Sequence, residues 1–276
     1  MALAFAVACY AKATRPPTVV RYRVVSTQPG DNPSLRIVHL SDTHVALPDM
    51  PPARLLRIVA QVNALRPDIV VLTGDYVSDK FVGSAVATAA AIAPLGRLRA
   101  RYGVFAVPGN HDHWRSIPAT RLAFARTHIV LLANESRRAG PVVIAGVDDS
   151  FTGHADVAVT LASVPRAPVP IILISHSPDV FTAVPASVAV TLAGHTHGGQ
   201  IVVPFYGPLA TASAFGRRFV RGLIVEGNRT MIVSAGLGTS ILPLRFGAPP
   251  EIVEVTLLGS AATASRVRNR RTAPTR

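Results

Sequence analysis

Five of the nine histidines, His44, His111, His176, His195 and His197, fall directly after short apolar, β-branched runs, as do Asp42, Asp75 and Asn110. In open α/β sheets, ligand-binding groups gather at the carboxyl ends of strands. Asp42 and His44 stand two apart, as do His195 and His197, and residues two apart in an extended chain point the same way. Each pair can therefore converge on one cation. Gly74-Asp75 supplies a carboxylate whose two oxygens can bridge a pair of cations. In Pro108-Gly109-Asn110-His111-Asp112 the turn residues let Asn110 offer its amide oxygen, while His111 projects elsewhere, as a general acid facing a substrate would. Composition alone predicts Gly-Asn-His-Asp about 0.001 times in such a chain. Each cluster alone is explained by a capped turn or a polar strand end; five in one chain are not. Seven donors (Asp42, His44, Asp75, Asn110, His176, His195 and His197) sharing one carboxylate suit two partly open sites, as in two-metal hydrolases. With no thiolate among them, the set fits Mn²⁺, Fe or Zn²⁺.

The elements that must position these residues alternate between short β-branched runs and Ala/Leu-rich segments, the pattern of an α/β architecture. Strands are expected at Leu35–Leu40, Asp68–Leu72, Gly103–Val107, Val142–Val147, Val169–Ile174, Val188–Leu192, Gln200–Val203, Gly222–Val225, Met231–Ser234 and Ile252–Leu257. Helices are expected at Pro52–Leu65, Ser84–Leu98, Ala119–Thr127, Asp156–Ser163 and Pro178–Thr182. The first half reads βαβαβ and the second is richer in strands and turns, so the sheets should be mixed.

The 276 residues, 49% of them hydrophobic and 16% charged, suit one large core. Composition thus argues against disorder and coiled coil, and a single cysteine, Cys9, excludes an intramolecular disulfide. Twenty-eight basic against 15 acidic residues leave a formal charge of +13, which favours phosphate-bearing partners or an anionic membrane surface. Residues 1–32 read as an N-terminal segment, with an anchor remnant as one interpretation of its apolar start and an edge strand at Val19–Val25. Residues 33–258 read as one catalytic domain, and 259–276 as a basic, disordered tail.

In order, Asp-x-His, Gly-Asp, Gly-Asn-His-Asp, a lone His and Gly-His-x-His resemble the motifs of the calcineurin-like metallophosphoesterases, over roughly residues 33–257. Gly194–Gln200, Gly207-Pro208 and Phe215–Arg218 look like a bacterial branch of small, often membrane-associated phosphodiesterases that includes UDP-2,3-diacylglucosamine pyrophosphatases of lipid A biosynthesis. The resemblance implies a four-layer α/β/β/α sandwich of two mixed sheets flanked by helices. It implies one cation on Asp42, His44, Asp75 and His197, a second on Asp75, Asn110, His176 and His195, and Mn²⁺ as the favoured metal. Many relatives carry an Asp three residues after the bridging Asp to orient the catalytic His. Here Ser78 stands there and the acid comes one later, at Asp79, which leaves His111 to be oriented by Asp79, by Asp112 or otherwise.

These features together predict hydrolysis of a phosphodiester or pyrophosphate by metal-bound hydroxide, on a phosphate-containing small molecule or a lipid-linked substrate. Arg217, Arg218 and Arg221 are expected to receive a second phosphate or head group. The apolar stretch Val202–Phe215 suits an acyl chain. A nuclease is the second enzymatic reading, disfavoured because no basic stripe interleaves with aromatics. A noncatalytic anion- or membrane-binding module with a structural metal site is the third. No protein partner is inferred. Location is open between the cytoplasm and the periphery of a bacterial inner membrane.

Overall fold

Successive side chains of a strand point to opposite faces, and here both faces are apolar. Val38, Leu40, Val70, Leu72, Val104 and Ala106 enter one buried cluster. Their chain neighbours Ile37, Ile69, Val71, Phe105 and Val107 enter another. Strands apolar on both faces need cover on both, which helices supply on one side and a second sheet on the other.

The computed structural model describes residues 2–26, 34–166 and 169–259. Two six-stranded sheets are built from β1 (Thr18–Val25), β2 (Leu35–Leu40), β3 (Ile69–Thr73), β4 (Val104–Val107), β5 (Val130–Leu131), β6 (Glu135–Ala139), β7 (Val142–Gly146), β8 (Ile171–Ile174), β9 (Val190–Ala193), β10 (Gly222–Glu226), β11 (Arg229–Val233) and β12 (Glu251–Leu258). The first sheet runs β1-β12-β2-β3-β4-β5 and the second β10-β11-β9-β8-β7-β6. Strands β2 to β5 are parallel, and β12 is antiparallel to β2. In the second sheet β7, β8, β9 and β11 are parallel, with antiparallel β6 and β10 at the edges. Both sheets are mixed. Ile37, Ile69 and Val71 meet Ile144, Ile172 and Leu192 in the core between them.

Among the described residues the α-helices are α1 (Ala2–Thr14), α2 (Pro52–Ala64), α3 (Thr88–Ile92), α4 (Asn110–Ala125) and α5 (Val157–Ala162). Helix α2 opens with Pro52 in its first turn, where the missing N–H is not needed. It buries Leu55, Ile58, Val59 and Val62 at helical spacing against the outer face of the first sheet. On the far side, Val180, Phe181, Val184 and Phe219 cover Leu173, Met231 and Val233 of the second sheet. The architecture is the four-layer α/β/β/α sandwich.

Local readings differ in several places, among them Pro178–Ala183, a 3₁₀ turn where a helix is expected, and β5, which the pattern does not indicate. The helix expected over Ser84–Leu98 is broken: Ser84–Ala85 pairs with Ala46–Leu47, α3 is short, and Ala93–Arg97 is a 3₁₀ turn. Pro94 and Gly96 interrupt it. Helix α4 starts at Asn110 rather than Ala119 and kinks at Ser116, two residues before Pro118. Strand β6, Glu-Ser-Arg-Arg-Ala, is too polar to be recognised by its pattern and lies at a sheet edge, where charge is tolerated. The apolar N-terminal run forms the helix α1, while the edge strand expected after it is present as β1, pairing in parallel with β12. The tail expected over 259–276 lies outside the described residues beyond Gly259, as do residues 27–33.

Candidate metal centre

The carboxyl ends of β2, β3, β4, β8 and β9 meet where the two sheets face each other, each leading into a sharp turn. Asp42 (φ 53°), His44 (φ 42°), Asp75 (φ 57°), His195 (φ 71°) and His197 (φ 52°) all adopt left-handed backbone conformations. Non-glycine residues rarely do so, at about 1–3 kcal/mol each, and such strain concentrates at functional sites. Glycine permits the crowding: a Cβ at Gly74 would sit 2.8 Å from His176 Nδ1, and one at Gly236 2.7 Å from Asp42 Cβ.

Two groups of donor atoms result, each within 4.8 Å: Asp42, His44, Asp75 and His197, and Asp75, His176 and His195. Asp75 Oδ2 stands between them, 3.2 Å from His44 Nε2 and 3.3 Å from His176 Nε2. In the first group His44 Nε2 and His197 Nε2 are 3.0 Å apart, and His197 Nε2 is 3.6 Å from Asp42 Oδ1. In the second, His176 Nε2 lies 3.0 Å from both Asn110 Oδ1 and His195 Nδ1. All seven side chains are buried.

This donor set fits divalent cations. His44 Nδ1 lies 3.1 Å from Val77 O and His176 Nδ1 2.7 Å from Thr73 O. A ring N–H donated to those carbonyls leaves each Nε2 with a lone pair facing Asp75. Lone pairs of imidazole, carboxylate and amide then converge, an arrangement that positive charge, whether a cation or a proton on His176, relieves. The field agrees. Burial opposes a charge on His176, but Asp75, Asp42 and Asp149 outweigh it and raise its pKa to about 10. Burial would likewise raise the Asp75 pKa, yet His176 and His44 hold it well below the usual carboxylate range. Burial, with Asp75 adding to it, lifts Asp42 to about 6.

His111 stands beside this centre. Its backbone N–H donates to Asp75 Oδ1 at 2.9 Å, and its Nδ1 meets Asp79 Oδ2 at 3.1 Å. Asp112 does not orient that ring, which corrects one expectation. Its carboxylate is buried the other way, accepting N–H groups from Asp75 and Gly109 at 2.9 Å and Tyr76 at 3.1 Å. It ties the Gly-Asp turn to the Gly-Asn-His-Asp turn. Ser78 is buried.

The centre opens into a cleft of about 520 Å³, lined by Phe81, Trp114, Phe151, Leu209, Ile241 and Leu242 beside the polar groups. Trp114 packs edge-on to His111 at 4.9 Å between centroids, and Phe151 lies 4.8 Å from the His195 ring. Arg217, Arg218 and Arg221 do not line this cleft, a second correction. Arg218 pairs through two nitrogens with Glu226 at 2.7 and 2.8 Å, Arg217 stacks over Tyr206, and Arg221 donates to Gly247 O. The hairpin β10–β11 carries Glu226 up to Arg218 and satisfies that charge away from the centre.

Two supports escaped the sequence reading. Arg245, fully buried, donates to the carbonyls of Ala235, Gly238 and Ala248 and so holds the loop that packs on Asp42. Lys80 donates to His44 O at 3.2 Å and to Asp49 at 2.9 Å, and Thr239 Oγ1 donates to the same carboxylate at 2.8 Å. The only signal for that loop is Gly236-Leu237-Gly238 directly after β11, another glycine pair at a strand's carboxyl end.

Two mixed sheets with Asp, His and Asn donors at their facing carboxyl ends define a metal-dependent phosphoesterase scaffold. The profile of the calcineurin-like phosphoesterases matches residues 35–199, and the chain belongs to that family. It is 33% identical over 237 residues to the metallophosphoesterase YkuE of Bacillus subtilis, covering 80% of this chain and 78% of that one. It is 32% identical to a bovine transmembrane protein with metallophosphoesterase domain, covering 89% of this chain and 58% of that protein. Among solved structures, a 5'-nucleotidase precursor from Thermus thermophilus is similar at a TM-score of 0.45 and 15% identity, over 82% of this chain and 54% of the other.

Proposed function

We propose that the chain hydrolyses a phosphodiester or pyrophosphate carrying an apolar group, with UDP-2,3-diacylglucosamine as the candidate substrate. The observation that carries this reading is Asp75 Oδ2 poised between two donor clusters at the floor of an apolar cleft. Asp42, His44, Asp75 and His197 hold one cation; Asp75, Asn110, His176 and His195 hold the other. Mn²⁺ is the favoured metal, with Fe and Zn²⁺ compatible with the same donors. When bound, the pair supplies Lewis acidity to the phosphoryl oxygens and acidifies a water to act as nucleophile. His111, oriented by Asp79, stabilises developing charge or protonates the leaving group. Phe81, Trp114 and Phe151 exclude water and seat the apolar group. Among the described residues lining the cleft there is no lysine or arginine to track a polynucleotide backbone, which weighs against a nuclease.

The test is hydrolysis of bis-p-nitrophenyl phosphate by metal-stripped protein, with and without Mn²⁺, beside the monoester. Mn²⁺-dependent turnover favouring the diester is expected. No turnover with any divalent metal would overturn the reading in favour of a noncatalytic binding module.

A further inference from the structure

Helix α1 is apolar on nearly every side, Ala-Leu-Ala-Phe-Ala-Val-Ala-Cys-Tyr, yet only part of it is covered. Cys9 and Ala13 are buried against the domain, while Leu3, Phe5 and Val7 are 79%, 55% and 60% exposed. A helix apolar all round is normally enclosed by protein or lipid. The same surface continues toward the cleft. Phe5 packs on Phe246 at 5.4 Å between centroids, and Val202 N donates to Phe246 O at 2.7 Å. Val202–Val203 pairs with Gly207–Pro208 in a short hairpin whose tip projects Phe205, fully exposed and held at φ 65°. A bulky residue in that conformation is strained, and the strain here presents an aromatic ring to the outside. Leu209 N donates to Ile201 O, and Gln200 Nε2 donates to Ser240 O, so Leu209, Ile241 and Leu242 carry the apolar surface to the cleft mouth.

Charge identifies what covers it. Residues 2–26 contain Lys12, Arg15, Arg21 and Arg23 and no acid; residues 196–250 contain Arg217, Arg218, Arg221, Arg229 and Arg245 against Glu226 alone. Lys12, Arg15, Arg217 and Arg221 are exposed. Exposed apolar side chains on segments with such an excess of basic residues match a bilayer with anionic head groups. Among the described residues no helix is long and apolar enough to cross a membrane.

We propose that α1 and the Phe205 hairpin dock the protein on an anionic bilayer, with the metal cleft opening along the docked face. The docking stands whether or not the proposed reaction is correct.

The test is flotation of the full chain with vesicles of phosphatidylcholine, with and without phosphatidylglycerol, alongside bis-p-nitrophenyl phosphate turnover and solution mass. Phe205→Ser touches no cleft residue, and Leu3→Ser/Val7→Ser alters only exposed side chains. Each variant should weaken binding to anionic vesicles by about tenfold or more while keeping wild-type turnover. Added salt should release the wild-type protein, and neutral vesicles should bind it weakly. Failure of the wild type to float with anionic vesicles, or unchanged flotation of both variants, would overturn the docking. So would a solution dimer that these substitutions dissociate, since the face would then be covered by a second copy. Absent turnover in wild type with intact flotation would count against the reaction and leave the docking standing.

Discussion

His111 and Asp79 face each other at the cleft mouth, Nδ1 to Oδ2 at 3.1 Å, although this carboxylate comes four residues after Asp75. Arg115 approaches the other Asp79 oxygen at 3.4 Å and helps fix it. With the ring's Nδ1–H donated to Asp79, its Nε2 is the atom free to act on substrate. Asp79→Ala should lower kcat about ten- to a hundredfold, the usual effect of losing an orienting partner, with bound metal unchanged. Wild-type kcat in that variant would remove Asp79 from the mechanism.

His195 belongs to the second donor group only and Asn110 Oδ1 lies 3.0 Å from His176 of that group, whereas Asp75 belongs to both groups. Asn110→Ala or His195→Ala should abolish turnover and reduce bound metal from two ions to about one, read by elemental analysis. Asp75→Ala should lose both. Full activity in Asn110→Ala would defeat the assignment of the second site.

Asp112 accepts three buried backbone N–H groups. Removing the acceptor strands all three, at about 1–3 kcal/mol each. Asp112→Ala should therefore lose at least ~3 kcal/mol of unfolding free energy in urea. An unchanged midpoint would mean that the two turns do not need this tie.

Trp114 and Phe151 are each more than half exposed, yet they pack against His111 and His195 at the cleft. An aromatic ring seating an apolar substituent contributes about 1–3 kcal/mol. Trp114→Ala should thus raise KM for an aryl diester about tenfold while leaving kcat within a fewfold of wild type. A fall in kcat alone would place Trp114 in support of His111 rather than of the substrate.

His39 points into the space between the sheets, with Nε2 2.7 Å from Thr73 Oγ1 and Nδ1 without a partner. Burial lowers its pKa to about 3. Unfolded, it would titrate near ~6.5, so between those values the unfolded chain binds the proton and the folded one does not. The stabilisation is fully present above about pH 6.5 and drains as pH falls toward 3, by ~1.4 kcal/mol per unit. His39→Gln should make the urea midpoint less dependent on pH between about pH 6 and 4. An identical slope in variant and wild type would refute this.

Much of the site could be read locally. Asp42 with His44 and His195 with His197 are spaced two apart at strand ends, and Gly109 with Asn110 form a turn. These relations depend on backbone geometry within a few residues, which the sequence carries directly. The strand cores of β2, β3, β4, β7, β8 and β9 were legible for the same reason: β-branched runs bounded by turn residues encode their own extent. The helix over Ser84–Leu98 was misread because apolar spacing outweighed Pro94 and Gly96 in the pattern, and β6 was missed because an edge strand needs no apolar face.

What local pattern cannot carry is which distant side chains meet. His44 and His197 lie 153 positions apart in the chain, yet their Nε2 atoms come within 3.0 Å because two sheets face each other at their carboxyl ends. The fate of each long charged side chain was equally a tertiary matter. Arg218 belongs to Glu226 only once β10 turns back into β11, and Arg245 lies buried among carbonyls because the loop after β11 closes over Asp42. A guanidinium reaches several ångströms from its backbone, so its partner is set by the packing around it and not by its neighbours in sequence.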